Sequence, residues 1–306
     1  MSESVAVVVV TFNRADLLVG MLDGLAAQTR RPDAVFVVDN ASTDHTRSVL
    51  DARTDLPLTA IHAQENTGGA GGFHRGMKAA YDAGFDRIWL MDDDVVPAPD
   101  CLAELLAHAG PCQMAVREDR AGHLVEKSAT RFDLRNPLAV RPKTESIDSR
   151  YATRAEMPAE VGLDNVAFEG FLVHRRVIDA IGFPDPSYFI FYDDVDFAIR
   201  ARRAGFPIVA VRDAVLVRQL DFDQQHALDT WKGFYMYRNL FVVHLRYGEN
   251  ALVRLKPWLI TLAVVLLSPL RGGRAEASNV IRAMRSARGM REIPDPPPHT
   301  PPAESG

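Results

Sequence analysis

The chain reads as an α/β protein whose mostly parallel sheet carries helices on both faces. Three observations lead there. Apolar β-branched runs alternate with helical spacing over the first hundred residues, the pattern of βαβ units. The polar and glycine-rich clusters all follow those runs, and open α/β sheets bind ligands beyond the carboxyl ends of their strands. The length of 306 residues with 47% AVILMFWYC supplies a large core.

Val5–Val10 is β-branched and bounded by turn-formers, so it reads as a buried strand. It is too short, and its start too acidic, for an export signal. Ala15–Gln28 has helical spacing, with Leu17, Leu18, Met21, Leu22 and Leu25 on one side. Ala34–Val38 is a second strand, and Thr43–Leu50 a short helix that opens on capping residues. Leu58–His62 is a third strand, Phe73–Asp82 a helix ended by Gly84, and Arg87–Met91 a fourth strand. From Arg117 to Glu160 the periodicity fades, and irregular chain or a β-ribbon is expected. Order returns over Val166–Val173. A helix over Asp194–Ala204 stops at Gly205, and a strand follows over Ile208–Val211.

The charge balance excludes some classes. Charged residues make up 25% and the net charge is −5, so there is no global basic signature for nucleic acid. Two cysteines, Cys101 and Cys112, rule out a disulfide scaffold and a cysteine-only zinc cage. The chain changes character after Tyr247. Residues 244–291 hold nine Lys/Arg against two Glu, so the remainder carries −12. Inside this stretch Pro257–Leu270 is apolar but shorter than the ~20 residues that span a bilayer. Arg254, Lys256, Arg271 and Arg274 flank it, and Arg282, Arg285, Arg288 and Arg291 follow at roughly helical spacing. Shallow docking on an anionic membrane surface explains both features. A core helix beside a solvated basic neighbour is the alternative. The expected organisation is an α/β domain over 1–215, an extension over 216–250, a basic and apolar helical segment over 251–291, and a Pro-rich disordered tail over 292–306.

Four clusters carry chemistry. Asp92-Asp93-Asp94 follows an apolar strand. Alternate residues point the same way, so Asp92 and Asp94 are expected to converge on a hard divalent ion, Mn²⁺ or Mg²⁺, while Asp93 turns away. A solvated acidic turn is the alternative. Asn66-Thr67-Gly68-Gly69-Ala70-Gly71-Gly72 precedes a helix and fits neither GxxxxGK[ST] nor GxGxxG. Its glycines suit close approach to a ligand, or else a flexible loop. Asp39, ending the second strand, can accept hydrogen bonds from a base or ribose, while Ser42 or Thr43 caps a helix. In Tyr192-Asp193-Asp194-Val195-Asp196, Asp193 and Asp196 resemble a capping pair. That leaves Asp194 free to act as a general base, with Phe189, Phe191 and Tyr192 able to stack on a sugar or to join the core.

Taken together, VVVTFNR (Val8–Arg14), VVDNASTD (Val37–Asp44), NTGGAGGF (Asn66–Phe73), WLMDDDV (Trp89–Val95) and YFIFYDDVDFAIRARRAGFP (Tyr188–Pro207) resemble family 2 glycosyltransferases of the GT-A fold. The glycine segment, the YFIFYDDVDF run and WKGFYMYRN (Trp231–Asn239) resemble bacterial galactofuranosyltransferases that build cell-wall galactan on a polyprenyl-diphosphate carrier. Rhamnosyltransferases that use dTDP-rhamnose share much of the pattern. A non-catalytic nucleotide-sugar-binding protein is the alternative from another class.

The resemblance implies inverting transfer from UDP-galactofuranose to a lipid-linked glycan at the cytoplasmic face of the membrane. It implies that Thr11, Arg14, Asp39, Asn66, Gly68, Gly69, Gly71, Gly72 and Asp93 contact the donor. Asp92 and Asp94 would hold the ion, and Asp194 would be the base. Tyr192, Asp193, Trp231, Tyr237, Arg238 and Asn239 would shape the sugar or acceptor pocket. The family usually has a histidine ligand where this chain has Arg218. Metal binding is then weaker, or Arg218 meets the diphosphate itself, or His226 swings in from a neighbouring turn. A symmetric homodimer is the base-rate expectation for oligomeric state.

Overall fold

The computed structural model describes residues 3–139, 141–220, 228–268, 273–290 and 292. His226 and nearly all of the Pro-rich tail lie outside these residues.

The first half follows the expected alternation. Strand β1 (Val5–Thr11) leads to α1 (Ala15–Ala26), β2 (Ala34–Asp39) to α2 (Thr46–Ala52), and β3 (Leu58–His62) to α3 (Gly68–Asp82), before β4 (Arg87–Asp92). β1 is buried along its whole length because both faces of the sheet are covered. Its side chains divide by the period of two. Ala6, Val8 and Val10 pack with Phe73, Met77 and Ala80 of α3. Val5, Val7 and Val9 pack on the other side with Leu18, Met21, Leu22 and Leu25 of α1.

The middle of the chain extends the sheet. β5 (Val95–Pro97), α4 (Cys101–Ala107) and β6 (Cys112–Glu118) precede a two-stranded ribbon, β7 (Ala129–Phe132) with β8 (Lys143–Ser146). After α5 (Ile147–Arg150) come β9 (Glu160–Leu163), β10 (Phe171–His174), α6 (Arg175–Ile181), α7 (Asp193–Arg203) and β11 (Ile208–Arg218). The sheet order is β3-β2-β1-β4-β10-β6-β11-β5, with β9 beside β11. The first four strands are mutually parallel, and β10 lies antiparallel between β4 and β6. β11 runs past its expected end at Val211, through a register shift, to Arg218.

Three helices close the chain: α8 (Trp231–Tyr247), α9 (Ala251–Leu267) and α10 (Gly273–Ala287). Phe241, Val242, Val280, Ala283 and Met284 form their shared core, joined by Ala70 and Tyr188 from the α/β part. No described helix is long and apolar enough to cross a membrane.

Two helix starts differ from expectation. α2 begins at Thr46, because Asp44 spends its carboxylate on the Thr46 amide and hydroxyl. α3 begins at Gly68 and not Phe73, so the glycines form its first turns. The reason is packing. A Cβ on Gly72 would lie 2.5 Å from Val10, and one on Gly76 would lie 2.4 Å from Val8 and 3.0 Å from Val38. α3 therefore sits closer to the sheet than a side chain allows. Gly76→Ala should destabilise the fold by about 1–3 kcal/mol through overpacking, read as a lower midpoint in urea. An unchanged midpoint would contradict this close-packing account.

Candidate active site

The expected clusters meet at the carboxyl ends of β1, β2 and β4, beside the end of β11 and the start of α7. The turn after β4 is arranged differently from the expectation. Asp93 does not turn away. One of its oxygens accepts from the Thr11 hydroxyl at 2.7 Å and the other from Arg14 Nη1 at 3.1 Å. The same Nη1 reaches Asp94 Oδ2 at 3.4 Å. Thr11, 1% exposed, and Arg14 thus serve the acidic turn itself. The other Asp94 oxygen, Oδ1, is buried with no hydrogen-bond partner among the described residues.

The electrostatics follow from crowding. Burial pushes the Asp92 carboxyl well above the usual range, and Glu169, Asp94 and Asp93 push it further. Asp94 is raised by burial and Glu169, against Arg14, Arg218 and Arg117. Glu169 was not singled out from sequence. It interrupts the apolar run Val166–Val173, and a lone carboxylate there is the signal that marks it. Burial opposes its ionisation, but Arg117 and Arg218 hold it low. Arg117 bonds Glu169 and grips Glu126 with two nitrogens, at 2.9 and 2.7 Å. Arg218, closing β11, stands 4.0 Å from Glu169. Carboxylates and guanidiniums therefore alternate across the floor of the site. No three His, Cys, Asp or Glu side chains among the described residues gather to hold an ion alone. Two carboxylates with one unsatisfied buried oxygen do suit a hard divalent ion, which completes its shell with phosphate and water.

On the β2 side, Asp39 accepts from the Ser42 amide and pairs with His62, each at 2.9 Å. Burial opposes ionisation there, but His62 and Ser42 more than offset it and lower the carboxyl. Its neighbour Asn40 belongs to the same motif but was given no role from the sequence. Its amide donates to Asn66 Oδ1 and the Gly68 carbonyl at 3.0 and 2.9 Å and accepts from the Thr67 amide at 3.1 Å. Asn66 is thus occupied in shaping the α3 entry. The glycines also correct the expectation. Gly68 has φ +72°, and a Cβ on it would lie 1.9 Å from the Phe189 carbonyl oxygen. Gly71 faces Thr67 and Gly72 faces Val10, so their missing side chains make room for the chain itself. Gly69 alone of the four has open space.

The turn before α7 is the most constrained part. Phe189, Phe191 and Tyr192 all have φ between 64° and 67°, unusual for bulky residues. Side chains from α8 hold them there. Asn239 donates to the carbonyls of Tyr188, Ile190 and Phe191, and Arg238 to those of Ser187 and Tyr188. Both are buried, and their polar groups are used on this backbone where a place in the sugar or acceptor pocket was expected. Tyr237 is likewise withdrawn, donating to Glu276 of α10 at 2.6 Å. Trp231 remains open, 57% exposed, edge-on to Phe189 and Tyr235, which stack at 4.9 Å.

Asp193 and Asp196 do not form a capping pair. Asp196 is fully buried and accepts from Tyr188, Tyr247 and Arg246 at 3.0, 2.6 and 3.0 Å, and from Arg200 at 2.9 Å. Asp193 is buried too, its carboxyl pushed well up by burial and then by Asp194. Tyr192 is half-buried, its hydroxyl pushed up to about 12 by burial. Asp194 is half-buried. One of its oxygens accepts from the Val195 amide at 2.7 Å, and the other has no hydrogen bond among the described residues. Desolvation raises its carboxyl to about 6, with Glu169 adding to the effect and Val195, Lys143 and Arg117 opposing it.

The sequence profile described as "Glycosyltransferase like family 2" matches residues 3–234, three-quarters of the chain. The chain belongs to glycosyltransferase family 2. Family 2 membership makes it a glycosyltransferase, and its mixed α/β sheet is a GT-A fold. It is 35% identical over 273 residues to galactofuranosyltransferase GlfT1 of Mycobacterium tuberculosis, spanning 85% of this chain and 88% of that one. It is 32% identical over 252 residues to GlfT1 of Mycolicibacterium smegmatis, spanning 78% and 82%. Among solved structures it is similar to a mannosyltransferase of Pyrobaculum calidifontis, captured with GDP-Man and Mn²⁺, at TM-score 0.57 and 20% identity over 95% of this chain and 89% of that one.

Asp194 has a folded pKa near 6 against an ordinary 3.8, so its ionised form destabilises the folded state above about pH 6. Asp194→Asn removes that penalty. The variant should melt roughly 2–4 °C above the parent at alkaline pH. The gap should narrow as pH falls through about 6 and close near 3.8. A gap that ignores pH, or has the opposite sign, would contradict the environment described for Asp194.

Proposed function

We propose that this glycosyltransferase moves galactofuranose from UDP-galactofuranose to a hydroxyl of a polyprenyl-diphosphate-linked glycan, inverting the anomeric centre. The observation that carries the proposal is Asp194, a half-buried carboxyl raised to about 6 with one oxygen open, at the head of α7 beside the acidic turn. A base with such a pKa is ionised at neutral pH yet basic enough to draw a proton from a hydroxyl. The GlfT1 relatives support galactofuranose as the sugar.

In this reading the acceptor oxygen attacks the anomeric carbon from the face opposite the diphosphate. The carbon–oxygen bond to UDP breaks, the electron pair leaves with UDP, and the hydroxyl proton passes to the open Asp194 oxygen. Asp39, kept ionised by His62 and Ser42, offers its remaining lone pairs to the base or ribose. Arg218, 4.0 Å from Glu169 at the end of β11, would meet diphosphate oxygens directly. Asp92 and Asp94 would hold Mg²⁺ or Mn²⁺, which neutralises the charge growing on the departing diphosphate. Gly69 provides the open approach at the head of α3. Trp231, Phe189 and Tyr235 present an aromatic face to the acceptor sugar. A lipid-linked acceptor locates the reaction at the cytoplasmic face of the cell membrane.

Asp194→Asn should lower transfer roughly 10²–10⁴-fold while leaving donor affinity nearly unchanged. In the parent, kcat/KM should fall tenfold per unit as pH drops below about 6, the limb on which Asp194 takes up its proton. Transfer that survives the substitution would remove Asp194 from the base role. Donor binding without transfer in the parent would favour a nucleotide-sugar-binding protein.

A further inference from the structure

α9 has two unlike faces. Ile260, Val264 and Val265 pack inward on the core shared with α8 and α10. Leu252, Leu255, Leu259, Leu262 and Leu266 point outward, each 49–68% exposed, with Trp258 and Leu267 beside them. The five leucines fall at i, i+3, i+7, i+10 and i+14, one continuous stripe along a 17-residue helix.

We infer that this stripe is a lipid-docking surface, on which the enzyme rests with α9 lying in the plane of an anionic bilayer. The orientation follows from the tether at its N-terminal half. Lys256 is buried and donates to the carbonyls of Asn136 and Ala139 at 2.6 and 2.8 Å, which ties α9 against the catalytic part and leaves its outer face parallel to the surface. Lys256 therefore does not belong to the basic surface expected from sequence, and neither does Arg246, which is buried between Asp185 and Asp196.

The basic residues that do face outward are Arg254 on α9 with Arg274, Arg282, Arg285 and Arg288 from α10 onward. None of them meets a carboxylate among the described residues. Glu276, the acidic residue of α10, is buried on Tyr237. An apolar stripe on α9 and unneutralised arginines on the adjoining helix, of which Arg282 lies over Phe234 of α8, complement acyl chains under anionic headgroups. A second copy of the chain fits less well. A helix pair wants a narrow seam flanked by charges of both signs. Here the stripe widens to include Trp258, Ala263 and Leu267, and no charged residue occurs from Pro257 to Ser268.

The surface is argued from α9 and α10 alone and takes only its purpose from the lipid-linked acceptor proposed above. The test is flotation of the full chain with phosphatidylcholine vesicles, with and without phosphatidylglycerol. The parent should float with the anionic vesicles and release them as salt rises. Leu259→Asp combined with Leu262→Asp alters two exposed side chains, so the melting temperature should hold while flotation falls about tenfold or more. Independently of that variant, acyl-chain bromination should quench the parent's tryptophan fluorescence, and Trp258→Phe should abolish the quenching. Absence of flotation, flotation indifferent to the leucine pair, or quenching that persists without Trp258 would overturn the inference. A dimer dissolved by the leucine substitutions, with no vesicle binding, would assign the stripe to a second copy. Vesicle binding is read without donor or acceptor, so its failure leaves the sugar-transfer reading standing, and the converse also holds.

Discussion

At the first turn of α7 a fully buried carboxylate, Asp196, accepts from two tyrosines and two arginines belonging to three separate segments. Tyr188 comes from the turn before α7, Arg200 from α7 itself, and Tyr247 and Arg246 from the end of α8. Arg246 extends the network to Asp185 at 2.9 Å, so two carboxylates face two guanidiniums in near balance. Removing one member of such a set leaves a buried charge uncompensated, a loss of about 3–5 kcal/mol. The network locks α8 onto the α/β part. With α8 in place, Arg238 and Asn239 reach the carbonyls of residues 187, 188, 190 and 191 and keep three bulky residues in the left-handed region. That backbone sets both the Phe189 carbonyl against which Gly68 packs and the direction of Asp194. Strain of this kind persists only where its surroundings over-determine it, and here the surroundings are α8.

The floor of the site obeys a second constraint, charge balance. Asp92, Asp93, Asp94 and Glu169 are crowded into a partly desolvated space, and Arg14, Arg117 and Arg218 are set among them. The arrangement is only partly neutralised, which is why Asp92 and Asp94 are raised and one Asp94 oxygen has no partner among the described residues. A site prepared this way favours added positive charge. It also keeps Asp194 within the field of Glu169, and that field helps to poise its carboxyl near neutrality.

Much of this was legible in the sequence. β1 and β4 fall where their apolar runs do, because strands buried on both faces have little choice of residue, and the half-exposed edge strand β3 also keeps its expected bounds. The site's location followed from the same logic, and Asp39, Asp92 and Asp94 do end or follow strands. The partners that polar groups take within the protein were not legible. Thr11, Arg14, Asn66, Tyr237, Arg238 and Asn239 look from the sequence like ligand-binding groups, yet each spends polar atoms on the protein's own carboxylates or backbone. A motif shows that a polar group needs a partner, and three-dimensional packing decides whether the partner is a ligand or a neighbouring carbonyl. Glu169 was missed for the converse reason, since a single polar residue inside an apolar run forms no motif, while Asn40 stood inside a motif whose reading went to Asp39 alone. The basic C-terminal run was also overread. Arg246 and Lys256 face inward, which the count of charges along the chain does not reveal.

The central claim is that this glycosyltransferase uses a UDP-galactofuranose donor held over Asp92 and Asp94. Titration calorimetry of UDP-galactofuranose and of dTDP-rhamnose, each with Mn²⁺ and then with excess chelator, tests it most directly. UDP-galactofuranose alone should bind, and more weakly once the ion is removed. Binding that survives the chelator unchanged would make Arg218 the diphosphate's partner in place of an ion. Preference for dTDP-rhamnose, or binding of neither donor, would contradict the claim.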